Sequence, residues 1–471
     1  MNKHTRSSRS APVSPTMTTL KDLVHLFLGA AIFQSGFICP CALALPDPLN
    51  GVDNAQKLAR PAVVSLQDPH GRQSPAQVLR SLAEFVESNP QLEIDWDVYG
   101  DFEKDAENSF LRKFESEIAS EFGMEEAVFM PSGVMAQSIA LLIHRETKKR
   151  SQDTGKDDTT YKFLCHESSH LLLHEQDSFR ELLGMLPIVV STKNKANGIS
   201  VPPMTTSDVE EAFRINSESN EIVMVMIEVP HRELGGKVNT YQDLLEMRDC
   251  CRNHNVPFHC DGARIFEAST GYITDGARIS ILGSDLFDSM YVSCYKGLGG
   301  LSGAFLVGNK NFCQQARVWL RRMGGNLYTL LPYAVPAYKG YLEEWKLQQG
   351  QELSFAEKKQ KLMSMVQELL SHQSIAKCLA FDPELPEINM IHGYVKGYSL
   401  EECNHAAARV KEATNVEIVR RFKPVDPALN PSAVANGYSV MFEWSIGQAN
   451  GGIDKKVAVE SWSLFFQYLE N

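Results

Sequence analysis

One lysine, Lys296, closes an apolar run of strand length in "FDSMYVSCYKGLGGLSGAF" and then meets a field of glycines. Desolvating an ammonium among small and apolar residues is costly, so that environment favours the neutral amine. A neutral lysine amine near pH 7 is a nucleophile toward carbonyl carbon. Three further stretches end apolar runs with side chains that can do chemistry. "HESSH" offers His166, Glu167 and His170, and "EVPHRELGG" offers Glu228 and His231. "HCDGAR" offers His259, Asp261 and Arg264. Taken singly, each has a bland explanation: a packed histidine, a capping aspartate, a surface ion pair, a lysine reaching for solvent. Taken together, they sit where an open parallel sheet places its ligands, just past the carboxyl ends of strands.

The chemistry that fits the set is that of pyridoxal 5'-phosphate. A Schiff base needs a lysine that loses its proton easily, and Lys296 has the setting for it. The cofactor draws electrons only while its pyridine nitrogen stays protonated, which a carboxylate at that nitrogen secures; Asp261 is placed for this. A phosphate needs backbone N–H groups at a tight turn opening a helix. "EAVFMPSGVMAQ" supplies that turn at Ser132, Gly133 and Val134. The glycines after Lys296 are expected to let the chain pass close to the cofactor. No G-x-G-x-x-G or G-x-x-x-x-G-K-[ST] pattern stands at a strand-to-helix turn, which argues against a plain nucleotide site.

These residues need a scaffold, and the chain is long enough to provide one. It has 471 residues, 43% of them apolar and 22% charged, so a large core with a satellite domain is expected. The net charge of −12, with no long basic run, argues against nucleic acid as a partner. The 10 cysteines show no paired C-x-x-C spacing, which suggests reduced thiols and a cytoplasmic setting. The N-terminus complicates this: residues 23–46 contain no Asp, Glu, Lys or Arg. A signal peptide, a membrane anchor and a plain extension all fit that stretch. Four regions are expected: an extension over 1–50, an arm over 51–94, a large domain over 95–340 and a small α+β domain over 341–471.

Within the large region the pattern is α/β. Phe102, Ala106, Phe110, Phe114, Ile118 and Phe122 form one stripe at four-residue spacing, which predicts an amphipathic helix ended by Gly123. Short apolar runs, "EAVFM", "KFLC", "PIVVS", "EIVMVMIEV", "PFHC", "FDSMYVS" and "GAFLV", alternate with helical segments. That alternation predicts a mostly parallel sheet covered on both faces. "SPAQVLRSLAEFVES" reads as a helix in the arm, and Ser207/Glu210 and Thr240/Asp243 read as helix caps. Later, "AYKGYLEEWKLQQG" and "AEKKQKLMSMVQELL" read as helices, and "EINMIHGYV", "VEIVR" and "YSVMFEWS" as strands.

In order and spacing, "DVYG", "FMPSGVMAQ", "HESSHLLLHE", "EVPHRELGG", "HCDGARIFEA" and "YKGLGGLSGAFLVGN" resemble motifs of the threonine aldolase and aromatic amino acid β-eliminating lyase family. The resemblance covers roughly residues 95–340 and implies the aminotransferase-like fold. It implies that Lys296 carries the cofactor, that Asp261 meets the pyridine nitrogen, and that Ser132, Gly133 and Val134 hold the phosphate. It places His170 over the ring, His231 near a substrate hydroxyl, Arg264 and Tyr99 at the substrate, and Tyr328 beside the phosphate. The implied reaction is retro-aldol cleavage of threonine or a related β-hydroxy-α-amino acid to glycine and an aldehyde, a step of threonine catabolism and glycine synthesis. Either His170 or His231 would be the base. Elimination at Cβ, or a scaffold role with lost catalysis, are the alternatives. Homodimers or homotetramers with shared sites are also implied. The chain departs from the family pattern at five points: the family's N-terminal "RSDT" segment has no counterpart before "DVYG", and four positions differ. Val134 stands for a threonine, Tyr295 for a serine and Tyr328 for an arginine, and "VMFEWSIG" lacks the arginine that gives the family a second carboxylate ligand.

Overall fold

The computed structural model describes residues 63–96, 109–152, 159–193, 198–216, 221–272, 282–283, 285–346 and 353–471. Tyr99, the helix stripe before Ser109 and the acid- and base-free stretch over 23–46 lie outside these residues. Among the described residues, no helix is long and apolar enough to cross a membrane.

Seven of the apolar runs become strands of one sheet. They are β1 (Glu126–Met130), β2 (Lys162–His166), β3 (Leu186–Val190), β4 (Ile222–Glu228), β5 (Phe258–Gly262), β6 (Ser289–Ser293) and β7 (Ala304–Gly308). The spatial order is β1-β7-β6-β5-β4-β2-β3. Neighbours from β6 through β5, β4 and β2 to β3 are parallel, while β7 runs antiparallel to both β6 and β1. β4, β5, β6 and β7 are buried along their whole length, which is why they read as continuous apolar runs and not as alternating ones.

Helices cover both faces. The helix Phe110–Glu121 starts where the Ser109 side chain accepts the Arg112 N–H, and it buries Phe110, Phe114 and Ile118. Phe114 packs edge-on to Phe305 of β7 at 4.8 Å between centroids. The Thr240/Asp243 cap forms as expected. The other expected cap moves two residues earlier. Thr205 opens the helix Thr206–Ile215 because Asp208 accepts both its N–H, at 2.8 Å, and its hydroxyl, at 2.6 Å. The arm helix forms over Pro75–Ser88, with a capping box between Ser74 and Gln77.

The C-terminal part builds a second, antiparallel sheet from β8 (Leu379–Asp382), β9 (Met390–Lys396), β10 (Lys423–Pro424) and β11 (Tyr438–Ser445), in the order β10-β11-β9-β8. Phe442, Trp444, Trp462, Phe465 and Val366 are buried in its core. "VEIVR" supplies no full strand: Val416–Glu417 instead pairs in parallel with Val64–Ser65 of the arm.

The glycines after Lys296 have a structural reason within the protein itself. A Cβ on Gly297 would lie 2.4 Å from Glu267 Cδ, and one on Gly300 would lie 2.7 Å from the Cys294 carbonyl oxygen. Gly303 has φ +98°, and a Cβ there would reach 2.4 Å from Phe129 Cζ. The loop needs glycine because it passes close to its own protein neighbours. Gly303→Ala should therefore cost about 2 kcal/mol or more, through both the left-handed backbone and the clash. Urea denaturation of the cofactor-free chain checks this, and an unchanged midpoint is not expected.

Candidate active site

A cleft opens at the carboxyl ends of the central strands. Gly133, Val134, His170, Glu175, Glu228, Arg232, Asp261, Arg264, Tyr291, Tyr295 and Lys296 all line it. Its floor follows from strand register. Glu228 of β4 pairs with Asp261 of β5, and Asp261 pairs with Tyr291 of β6. Paired residues of parallel neighbours project to the same face, so three polar groups stand side by side.

Asp261 is buried and tightly held. The Gln137 amide donates to its Oδ2 at 2.7 Å, and the Ala263 N–H donates to its Oδ1 at 3.1 Å. Gln137 is held in turn: its Oε1 pairs with His259 Nε2 at 3.0 Å, and His259 Nδ1 pairs with Ser289 Oγ at 2.7 Å. Ser289 Oγ also meets His144 Nε2 at 2.8 Å. All members of this chain are buried, and burial holds both imidazoles well below the usual histidine range. Neutral imidazoles fix the direction of the chain. Gln137 gives its N–H to Asp261 and so accepts at its carbonyl from His259 Nε2–H; His259 Nδ1 then accepts from Ser289, whose oxygen accepts from His144. His259 thus lies beneath the cleft, as a support for Asp261.

Lys296 is held below the ordinary lysine range, first by burial and then by the positive charges of Arg264 and Arg232; Asp261 and Glu443 oppose the shift. Its Nζ lies 5.5 Å from the Tyr295 ring centroid. Burial pushes both Glu228 and Asp261 upward from the carboxylate range, to about 7; the charge of Glu233 adds to the first shift and that of Glu228 to the second. The two cannot both ionise cheaply in one dry crevice.

His170 opens a short helix, His170–His174, beside the cleft. Its backbone N–H donates to Glu228 Oε1 at 2.5 Å, and its Nδ1 pairs with Glu175 Oε1 at 3.1 Å. Burial raises the Glu175 carboxyl to about 8. The remaining ring nitrogen, Nε2, is the one that can serve a ligand. Across the cleft, Gly133 and Val134 begin the helix Gly133–Gln152, with the Ser132 hydroxyl accepting the Met135 N–H at 3.3 Å. Glycine is required at 133 because a Cβ would come within 2.1 Å of the Tyr291 hydroxyl oxygen.

Several expected residues lie elsewhere. His231 is buried behind Glu228, with Nε2 2.9 Å from Ser168 Oγ, and is absent from the cleft lining. His166 is buried on Ser168 and Thr192, and Glu167 holds the Thr192 N–H and Lys193. Tyr328 is exposed and outside the lining. Conversely, Gln137, Glu175, Arg232, Tyr291 and Glu443 were not singled out by sequence. Arg232 stood inside a quoted motif; Gln137 sits one helical turn past the phosphate turn, a spacing that points it back toward the strand ends.

A dry lysine, a hydrogen-bond-holding carboxylate, a helix N-terminus and an imidazole converge here. Such a set fits pyridoxal phosphate, the cofactor of the aminotransferase-like fold that the sheet defines. An aspartate aminotransferase from Rhodobacter sphaeroides shares that fold at 10% identity and TM-score 0.52. The β-eliminating lyase family model matches residues 88–380, and the chain belongs to that family. Low-specificity L-threonine aldolase 1 of Arabidopsis thaliana is 27% identical over 219 residues, 46% of this chain and 55% of that protein. The low specificity L-threonine aldolase of Escherichia coli K12 is 27% identical over 49% of this chain and 60% of its own length. The chain thus spans little more than half the length of the curated relatives it matches. A solved structure from Listeria monocytogenes EGD-E, assigned as an L-allo-threonine aldolase, is 29% identical with TM-score 0.67; the match covers 86% of this chain and 95% of that one.

The buried acids set a pH dependence. A carboxyl whose folded pKa is raised gives stability that is full below its unfolded value and is lost as pH rises through the folded one. The melting temperature of the cofactor-free chain should therefore fall between about pH 4.5 and about pH 8, and Glu175→Gln should flatten that fall. Thermal melts of both proteins across this range check the sign.

Proposed function

We propose that this chain is a pyridoxal-phosphate-dependent lyase that cleaves threonine or a related β-hydroxy-α-amino acid to glycine and an aldehyde. The observation that carries the reading is the convergence of Lys296, Asp261, His170 and Arg264 on one cleft. Family membership and the threonine aldolase relatives support it.

In this reading Lys296 Nζ would hold the cofactor's aldehyde carbon. Asp261, kept in place by Gln137 and the Ala263 N–H, would hold the ring nitrogen. Ser132 and the N–H groups of Gly133 and Val134 would hold the phosphate, with backbone groups taking more of the charge because Val134 offers no hydroxyl. His170 would cover the ring. When bound, the cofactor supplies the sink for the electron pair released as the Cα–Cβ bond breaks. Arg264 grips the substrate carboxylate. His170 Nε2 takes the β-hydroxyl proton, because Glu175 occupies Nδ1 and because His231 faces away from the cleft. A proton then returns to Cα, giving glycine.

His231 behind the floor also favours a second reading, elimination at Cβ, in which no hydroxyl proton need be removed. Products separate the two: glycine and an aldehyde, or a 2-oxo acid and ammonia. The same proposal includes an assembly of two or four chains. Tyr328, exposed and away from its own cleft, would then serve a neighbour's site.

Lys296→Ala should lose the visible cofactor absorbance and all turnover while keeping the native circular dichroism. Asp261→Ala should slow glycine formation by about 10²-fold, the scale of one positioned electrostatic group. Normal rates in either variant would remove the assigned role. Light scattering at micromolar concentration should give a mass no smaller than a dimer.

A further inference from the structure

The guanidinium groups of the cleft already have a carboxylate. Glu443, on β11 of the small sheet, lies with Oε2 2.8 Å from Arg232 Nη2 and Oε1 3.4 Å from Arg264 Nη2. One side chain thus bridges two arginines that come from the ends of β4 and β5. Burial would raise its carboxyl, but Arg232, Arg264 and His392 overcome this and hold it at about 2. His392 stands opposite Glu443 on β9 and is buried. Glu443 is therefore an anion at neutral pH.

The two arginines also face other acids. Arg232 pairs with Glu233 through Nη1, and Arg264 Nη1 lies 3.3 Å from Glu267 Oε1. Against two positive charges stand Glu443, Glu233 and Glu267. Arg264 nonetheless keeps an open edge. Both its carboxylate contacts are long, and its Nε is buried with no hydrogen-bond partner among the described residues. The Nε–Nη2 edge of a guanidinium is a two-donor fork that matches one carboxylate. An incoming carboxylate that takes this edge shares Nη2 with Glu443. It has no second fork to use, because Arg232 is committed to Glu443 and Glu233.

We infer that Glu443 is a specificity-determining residue: it restricts the cleft to substrates with a single carboxylate and a neutral or cationic side chain. The inference rests on the amino-acid reading above and narrows its substrate class. A side-chain carboxylate or phosphate would have to settle beside the half-buried Glu443, with both arginines already neutralised. Like charges placed so close discriminate through repulsion, the usual source of rejection of an otherwise similar ligand. Glu443→Gln keeps the shape and removes the charge. The arginine pair then gains a free positive charge for a second anion.

The test uses the cofactor-loaded protein and two probes, alanine and aspartate, titrated against the visible cofactor absorbance. Threonine and 3-hydroxyaspartate provide the matching kinetics. The wild type should bind alanine and discriminate against aspartate. Glu443→Gln should tighten aspartate by about tenfold more than alanine, the size of one removed close charge contact, and should lower KM for 3-hydroxyaspartate with kcat nearly unchanged. Glu443→Asp retains the charge and should keep the wild-type preference, which separates charge from simple loss of packing. If Glu443→Gln leaves the aspartate-to-alanine ratio unchanged while both acids bind, the inference is overturned and the amino-acid reading stands. If neither acid perturbs the absorbance of any variant, the amino-acid reading itself fails and the inference falls with it.

Discussion

Everything at this site depends on keeping Asp261 an acceptor while it is buried beside a second acid. An ionised carboxylate in a dry interior is expensive unless its oxygens are hydrogen-bonded and a positive charge is near. The protein meets both conditions from different directions. Gln137 and the Ala263 N–H hold the oxygens, and the Arg264 guanidinium lines the same cleft. Strand register then forces Glu228 alongside, so the cleft floor has a surplus of acid that must be protonated or countered. The weakened basicity of Lys296 has the opposite origin: burial and then the charges of Arg264 and Arg232 lower it, and Asp261 resists.

Most of the framework was legible in the sequence, because buried parallel strands write themselves as short unbroken apolar runs. All seven runs of the large region lie where the sheet has strands. The residues just past them that face the cleft, Gly133, His170, Asp261, Arg264 and Lys296, were also legible as a set. Which strand-end residues look up into the cleft and which look down was not. His259 shows why. It lies two residues before Asp261 on the same strand face, one pleat deeper, so it meets the covering helix at Gln137 and no ligand. His231 follows a strand end as directly as Glu228 does, yet the turn it opens carries it behind that residue. No spacing rule distinguishes these cases, because the direction of a side chain after a strand is set by packing partners far away in sequence.

Glu443 marks a different limit. The lack of an arginine in "VMFEWSIG" could be read directly; what the glutamate does there could not, since its partners lie 211 and 179 positions earlier (443 − 232 and 443 − 264). The glycines after Lys296 teach a related lesson. Their number suggested a close approach, and the protein atoms they avoid belong to Glu267, Cys294 and Phe129. A glycine-rich loop reports a close approach without saying to what.

The chain from Asp261 through Gln137, His259 and Ser289 to His144 has one more property. Each member gives its proton in the same sense, so the row is polar from end to end, like beads threaded in one orientation. No single bead can turn alone: reversing Gln137 would set two donors against each other at His259 and strand an acceptor against Asp261. The row therefore behaves as one object with two settings, and one of them is forbidden while Asp261 is charged. A proton arriving at the cleft would be announced at His144, two turns along the same face of the helix that carries Gln137, without any movement of the backbone between them.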